Sequence, residues 1–503
     1  MSSTPKKTCC EKIMEKIMLC ILSACLAGLF AGSCKVQEPD TPLINGEMDI
    51  TKNHDESIWR VEVDGRVDRG YFYPDENVVY WTASLPKLTG QAAHYEVRGQ
   101  FPHARFMSLQ GYTQRGASLD GLYDFQILPS DGSENPFLDG AVYPADQEKT
   151  AYRVHIISSA APGGGAAGIP NTLYLESAGD ETRCTVVYRV YWNALSPDAT
   201  IPDGYDHRQW EKQGQKPLPS IYYVVDDLSQ PHYMSVDELY GDIKGVLGIR
   251  IVADIINAAG RCLAPWIAAI DRGIGRLASD PSDWFIGGDI LKGFVPLFEQ
   301  YPAIKNFLNS RDTVRANVFP NNATAYYATF LNPNYGEINV TRFKAPTFPN
   351  VEAGAVIDSA QQQVRYWSVC MHDPFLMYTT ACKKDSEFIL DADGFVTLVF
   401  SDIRTRPLDP DTGKPVQNWL PLPSPNSLVF YRHMLPSPWF TQSAYYYKQS
   451  VSDAAQLNDY EAVSEWSGDY CPESVYCSKK QFETDKCQGR PAAASTAAGR
   501  ISP

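Results

Sequence analysis

Long uncharged apolar runs, paired histidines and basic patches are all missing from most of this 503-residue chain. Beyond Cys34 no run of about 18 uncharged apolar residues occurs, so no membrane-spanning helix is expected there. The eight histidines form no His-x-His or His-x-x-x-His pair, which removes the commonest zinc signatures. Lysine and arginine number 44 against 59 acidic residues, giving a formal net charge of −15. That balance repels phosphate backbones, and no local basic cluster offsets it, so nucleic acid is not an expected partner. Gly-x-Ser-x-Gly is also absent, and with it the strained turn that exposes a hydrolase serine. The glycine-rich stretch 160–168 lacks the Lys-Ser/Thr ending of a phosphate loop and reads as a surface loop.

What is present suits an exported, β-rich protein. The length predicts two to four domains. The 36 prolines and 12% aromatic residues favour strands separated by turns. Lys6, Lys7, Lys12 and Lys16 precede an apolar run from Ile17 to Phe30, then Ala31-Gly32-Ser33 and Cys34. A charged start, a short apolar core and a small-residue exit mark an export signal. A cysteine at that exit is similar to a lipobox, so Cys34 is the expected lipidation site. Cys25, after Leu22-Ser23-Ala24, is the alternative. The expected address is a bacterial cell envelope with a lipid anchor in the membrane, or secretion if the lipobox reading fails. Seven cysteines follow Cys34. In an oxidising compartment some should pair. Cys370 and Cys382 flank one β connection and are the first expected pair; Cys471, Cys477 and Cys487 are candidates to staple the tail.

Much of the chain is written twice. Ala104-Arg105-Phe106-Met107-Ser108-Leu109 corresponds to Val364-Arg365-Tyr366-Trp367-Ser368-Val369, and Val187-Tyr188-Arg189 to Phe430-Tyr431-Arg432. Tyr80 and Tyr327, Phe101 and Phe348, and Asn171 and Asn418 each stand 247 positions apart. The offset becomes 260 at Arg105/Arg365 and 243 at Arg189/Arg432. A common order of motifs with small slips predicts a duplicated β unit. The expected fold class is mainly β with a helical insertion, as two tandem related β-sandwich, jelly-roll-like units. The expected divisions are a signal to 34, a tether over 35–57, a first sandwich over 58–200, a linker over 201–232, a helical module over 233–311, a second sandwich over 312–450, and a Cys-containing tail over 451–503 whose end is disordered. The helical module rests on the capping box Ser235-Val236-Asp237-Glu238 and on apolar residues at helical spacing from Leu239 to Ile256. Tyr445-Tyr446-Tyr447 is expected to add an edge to the second unit.

Matched arginines, Arg105 with Arg365 and Arg189 with Arg432, could clamp a carboxylate ligand or pair with a carboxylate inside each sandwich, Asp124 and Asp385 among them. Ser368, His372, Asp373 and His433 contain the residue types of a nucleophile, a base and an orienter. Asp391-Ala392-Asp393-Gly394 and Asp409-Pro410-Asp411-Thr412-Gly413 invite a calcium reading beside the ordinary hairpin-turn one. Trp367, Trp419, Trp439 and Tyr445–Tyr447 either line a stacking platform for a sugar or fill the core. Arg365, Ser368, His372, Trp419, Arg432 and His433 are therefore the candidate pocket residues, with no metal centre and no other cofactor expected.

Asp391-Ala392-Asp393-Gly394-Phe395-Val396-Thr397, then Asn418-Trp419-Leu420-Pro421 and Tyr431-Arg432, resembles the bacterial family catalogued as domain of unknown function 1214. The first half resembles its usual partner, domain of unknown function 1254. The resemblance implies tandem β-sandwich units in exported or envelope proteins and supplies no reaction. The expected function is a ligand-binding or structural envelope protein; the alternative is an extracytoplasmic hydrolase acting on esters or glycans.

Overall fold

The computed structural model describes residues 44–45, 58–59, 61–66, 73–88, 93–113, 116–146, 148–160, 168–176, 181–192, 200–225, 232–233, 282–287, 320–373, 378–422, 427–452, 454–457 and 459–487. The signal, Cys25, Cys34 and the expected helices from Ser235 to Ile256 lie outside them.

The duplication holds at the level of topology. A two-residue strand, β1 (Ile44–Asn45), pairs with His232–Tyr233. The first unit then contains β2 (Val61–Asp64), β3 (Val78–Pro86), β4 (Ala93–Gln100), β5 (Ala104–Thr113), β6 (Ser118–Tyr123), β7 (Ala151–Ile157), β8 (Thr172–Tyr174), β9 (Arg183–Trp192) and β10 (Ser220–Val225). After β11 (His232–Tyr233), the second unit contains β12 (Phe285–Gly287), β13 (Thr324–Leu331), β14 (Ile338–Lys344), β15 (Val364–Asp373), β16 (Tyr378–Lys384), β17 (Phe395–Ser401), β18 (Trp419–Pro421), β19 (Ser427–Pro436) and β20 (Glu473–Cys477). The first unit's five-stranded sheet runs β2-β3-β9-β5-β6 and the second's runs β12-β13-β19-β15-β16. The four-stranded sheets run β10-β4-β7-β8 and β18-β17-β14-β20, the same order read from opposite edges. Even the irregularity repeats: β5 is bulged at Gly111/Tyr112 and β15 at Met371/His372.

Strand periodicity explains the layering. In β3, Val79, Trp81, Ala83 and Leu85 pack with Tyr95, Val97, Val154 and Ile156 of the four-stranded sheet. In β15, Trp367, Val369 and Met371 pack with Val396, Leu398 and Phe400. The alternate residues of the five-stranded sheets face the other unit: Val78, Phe106 and Tyr191 cluster with Tyr366 and Met434. A strand covered on both faces cannot alternate in polarity, and nine consecutive residues are buried in both β5 and β15. The amide of Asn171 closes the first unit's sandwich edge, accepting from Leu128 N at 2.7 Å and donating to Leu128 O at 2.8 Å. Asn418 does the same for Ile389, at 3.0 and 2.7 Å. Asn418→Ala leaves both backbone groups unpaired. It is expected to cost about 1–3 kcal/mol, read from the shift in urea midpoint at constant slope.

Several expected boundaries move. The linker over 201–232 supplies β10, which pairs with β4 along its whole length. Within the expected helical module, Phe285–Gly287 is instead an edge strand on β13. The tail is structural, because β20 pairs with β14 and Val463, Tyr470 and Tyr476 join the second core. Tyr445, Tyr446 and Tyr447 lie in a helix, Ala444–Ser450, not at a sheet edge. Register also corrects one pairing of the repeat. Tyr80 sits opposite Arg189 and Tyr326 opposite Arg432, so the partner of Tyr80 is Tyr326 and not Tyr327. Disulfides join Cys370 to Cys382 and Cys477 to Cys487, while Cys471 is unbonded. Cys471 faces the second core, where no cysteine stands opposite it among the described residues. Burial pushes the Cys184 and Cys471 thiols up to about 12. Both are expected to resist alkylation until denaturant is added, as peptide mass mapping would show.

Candidate functional site between the two units

The two sandwiches meet through polar side chains that neither half satisfies alone. Arg105 opens β5 and Arg365 stands at the same place in β15; each guanidinium crosses to the other unit. Arg105 donates to both carboxylate oxygens of Asp385, the Nη2–Oδ2 contact measuring 2.8 Å. Arg365 Nη1 reaches Asp124 at 3.3 Å from Oδ2 and 3.4 Å from Oδ1. The expected Arg–Asp pairs therefore exist, but exchanged between the sandwiches and not within each. Each aspartate also caps its own unit. Asp124 accepts from Met107 N and Phe125 N, and Asp385 from Trp367 N and Ser386 N. Burial pushes the Asp124 carboxyl up to about 6 against the opposing pull of Arg365, and raises Asp385 in the same way.

A second layer centres on Asp75, in the loop before β3. Its Oδ2 accepts from Ser368 Oγ at 2.5 Å and Tyr366 OH at 3.0 Å, with Arg432 Nη1 at 3.8 Å. Its Oδ1 accepts from Asn77 N and Nδ2, which fixes the loop. Arg432 Nη2 donates to Tyr73 O at 2.9 Å, and its guanidinium lies over the Tyr326 and Phe430 rings. His372, two residues beyond Cys370, shares a 3.0 Å hydrogen bond through Nδ1 with Thr379 Oγ1, whose hydroxyl also donates to Pro74 O. Burial holds the His372 imidazole well below its usual value, and Arg432 adds to that effect.

Of the candidate pocket residues, the fold thus gathers Ser368, His372 and Arg432 around the Tyr73–Asn77 loop, with Arg365 nearby in the same interface. Two others lie elsewhere. His433 faces the interior of the second sandwich, against the rings of Tyr327, Tyr431 and Phe440. Trp419 is in β18, where its indole donates to Ser401 Oγ at 2.9 Å and stacks with Arg406. Trp367 is fully buried core, whereas Trp439 is exposed. Ser368 and His372 point the same way because both alternate out of β15, but their polar atoms are engaged with different partners. The turn aspartates have local partners: Asp391 accepts from Asp393 N and Phe395 N and pairs with Arg342, and Asp409 and Asp411 pair with Lys486.

Asp75 escaped the reading of the sequence because Pro74-Asp75-Glu76-Asn77 has the composition of a plain turn. A signal was available. Tyr73-Pro74-Asp75-Glu76-Asn77 precedes β3 as Phe319-Pro320-Asn321-Asn322-Ala323 precedes β13, at the same 246-residue offset as Tyr80 and Tyr326.

No protein-family model matches the chain, and no curated protein matches it either. Among solved structures it is similar to an uncharacterized protein from Burkholderia cenocepacia, at 12% identity and a TM-score of 0.39, over 86% of this chain and 88% of that one. It is also similar to a protein from Vibrio parahaemolyticus, at 12% identity and a TM-score of 0.33, over 72% and 86% of the two chains. Neither likeness bears on activity.

Proposed function

We propose that the chain is an exported bacterial envelope protein, tethered to the membrane through a lipid on Cys34, that works as a binding or structural scaffold. One observation carries the scaffold reading: Arg105, Arg365, Ser368 and Arg432 bond across the two units, so their chemistry is used to hold them together. The signal-like start, the lipobox-like Cys34 and the resemblance to domains of unknown function 1254 and 1214 support the address. The two disulfides fit an oxidising compartment. Catalysis on esters or glycans is the second reading. It would need His372 to turn from Thr379 towards Ser368, whose hydroxyl donates to Asp75, and no observation favours that movement.

Expression in a Gram-negative host with an alkyne-tagged fatty acid tests the anchor. Label is expected on the full chain and on Cys25→Ser, and not on Cys34→Ser. Label surviving Cys34→Ser but lost from Cys25→Ser would move the anchor, and no label on any of the three would remove it.

A further inference from the structure

The Tyr73–Asn77 loop of the first unit docks on the β15–β16 hairpin of the second, and its contacts ring one disulfide. Cys370 in β15 and Cys382 in β16 stand directly opposite each other and are bonded. An Asp75 carboxylate oxygen lies within 4.8 Å of both sulfurs. Around that pair, Ser368 Oγ and Tyr366 OH donate to Asp75, and Thr379 Oγ1 donates to Pro74 O. The edge strand is β16, and there the Cys382 N–H crosses to Glu76 Oε2 of the first unit at 3.1 Å.

The duplication supplies a comparison. Gln110 and Gly121 stand opposite each other in the equivalent β5–β6 hairpin, at the places of Cys370 and Cys382. That hairpin pairs without a cross-link, so the strands do not need one. The bonded cysteines are only 12 positions apart, and a cross-link restricts the unfolded chain least when its loop is short. What distinguishes this bond is its place beneath the docked loop. Cys370 is fully buried, whereas Cys382 is partly exposed.

We infer that the Cys370–Cys382 disulfide is a redox latch on the loop: closed, it leaves Tyr73–Asn77 docked, and its reduction by a dithiol releases the loop and uncovers Ser368 and Arg432. A reductant thiolate attacks Cys382 Sγ, and the bonding pair leaves on Cys370 Sγ, which takes a proton. The reductant's second thiol then frees Cys382 as a thiol, so the protein gains two thiols and the reductant becomes a disulfide. Two thiols need van der Waals separation where one bond sufficed, and in a close-packed site the sulfurs part against the Asp75 loop. The Arg105–Asp385 and Arg365–Asp124 pairs, in the other layer of the interface, keep the units joined in both states. The latch rests on the scaffold reading, because it acts on the interface which that reading uses.

The test follows amide hydrogen exchange at single residues in the chain 35–503, oxidised and in excess dithiothreitol, with alkylation reporting the state of each cysteine. Reduction is expected to open Cys370–Cys382 and to speed exchange at Cys382 and Asn77 about tenfold, with Met107 unchanged. Cys370→Ala/Cys382→Ala removes the crowding sulfurs and should keep slow exchange with and without reductant; it also reports any effect of opening Cys477–Cys487. A bond that resists excess dithiothreitol, slow exchange in the reduced wild type, or fast exchange in the double variant overturns the latch and leaves the scaffold reading standing. Fast exchange at Cys382 already in the oxidised wild type overturns the docked interface and the latch with it. If the double variant does not fold, the wild type decides alone, since slow exchange after reduction overturns the latch.

Discussion

Asp385→Ala is expected to cost about 3–5 kcal/mol of stability, because it leaves the Arg105 guanidinium buried without its counter-charge. Arg105 is 1% exposed, so water cannot replace the lost partner. The backbone N–H groups of Trp367 and Ser386 lose their acceptor in the same substitution. Asp124→Ala should cost less, by about 1 kcal/mol, since its arginine contacts are 3.3–3.4 Å long and Arg365 is 8% exposed. Arg105→Met with Asp385→Leu should recover much of the loss, because replacing both members of a buried pair removes the desolvation penalty with the attraction. Urea unfolding of the wild type and the three variants forms the necessary comparison. Equal, small effects of Asp385→Ala and Asp124→Ala would mean that the exchanged pairs contribute little.

His433→Leu should make the protein more stable, and more so in acid. Both ring nitrogens of His433 are buried without a hydrogen-bond partner among the described residues. Removing them should stabilise the fold at pH 7 by about 1–2 kcal/mol. Burial among aromatic rings pulls the imidazole down to about 3 from an ordinary 6.5. A folded-state value below the unfolded one means that the unfolded chain binds the extra proton. The wild type therefore holds its full contribution above pH 6.5 and loses it progressively as pH falls towards 3. At pH 5 the variant should gain about 2 kcal/mol more over the wild type than at pH 7. Asp124 has the opposite sign: raised to about 6, it lowers stability as pH rises from about 4 to 6. His372, lowered by burial, acts in the same direction as His433. A His433→Leu variant whose stability follows the wild-type pH profile would show that the imidazole protonates freely.

The fold was legible in the sequence where residues had to serve two faces at once. Arg105 to Leu109 and Arg365 to Val369 are buried on both sides of their strands, so their pattern is dense and repeats recognisably. Asn171 and Asn418 were legible as matched positions of the repeat, but the backbone bridges that their amides make to Leu128 and Ile389 were not. Short pieces that gain order only from a neighbour were not. Phe285–Gly287 follows a proline in a helix-like region and is a strand because β13 offers an edge; Glu473–Cys477 lies in a polar tail and is a strand because β14 does. At the site, local sequence suggested that Arg105 and Arg365 pair with aspartates, but not which ones, since exchange between units is a property of docking. Asp75 was hidden behind a turn composition, and His433 was drawn into the candidate pocket by its type, although its neighbour Arg432 and the alternation of β19 put it on the opposite face.

The exchanged arginines hold the two sandwiches together as one body. Calorimetry of residues 35–503, beside the same chain carrying Arg105→Met and Arg365→Met, is the direct test. One cooperative transition is expected for the wild type, and for the variant a lower midpoint or two resolved transitions, one for each unit. A wild type that already melts in two independent steps, with neither moved by the double substitution, would contradict it.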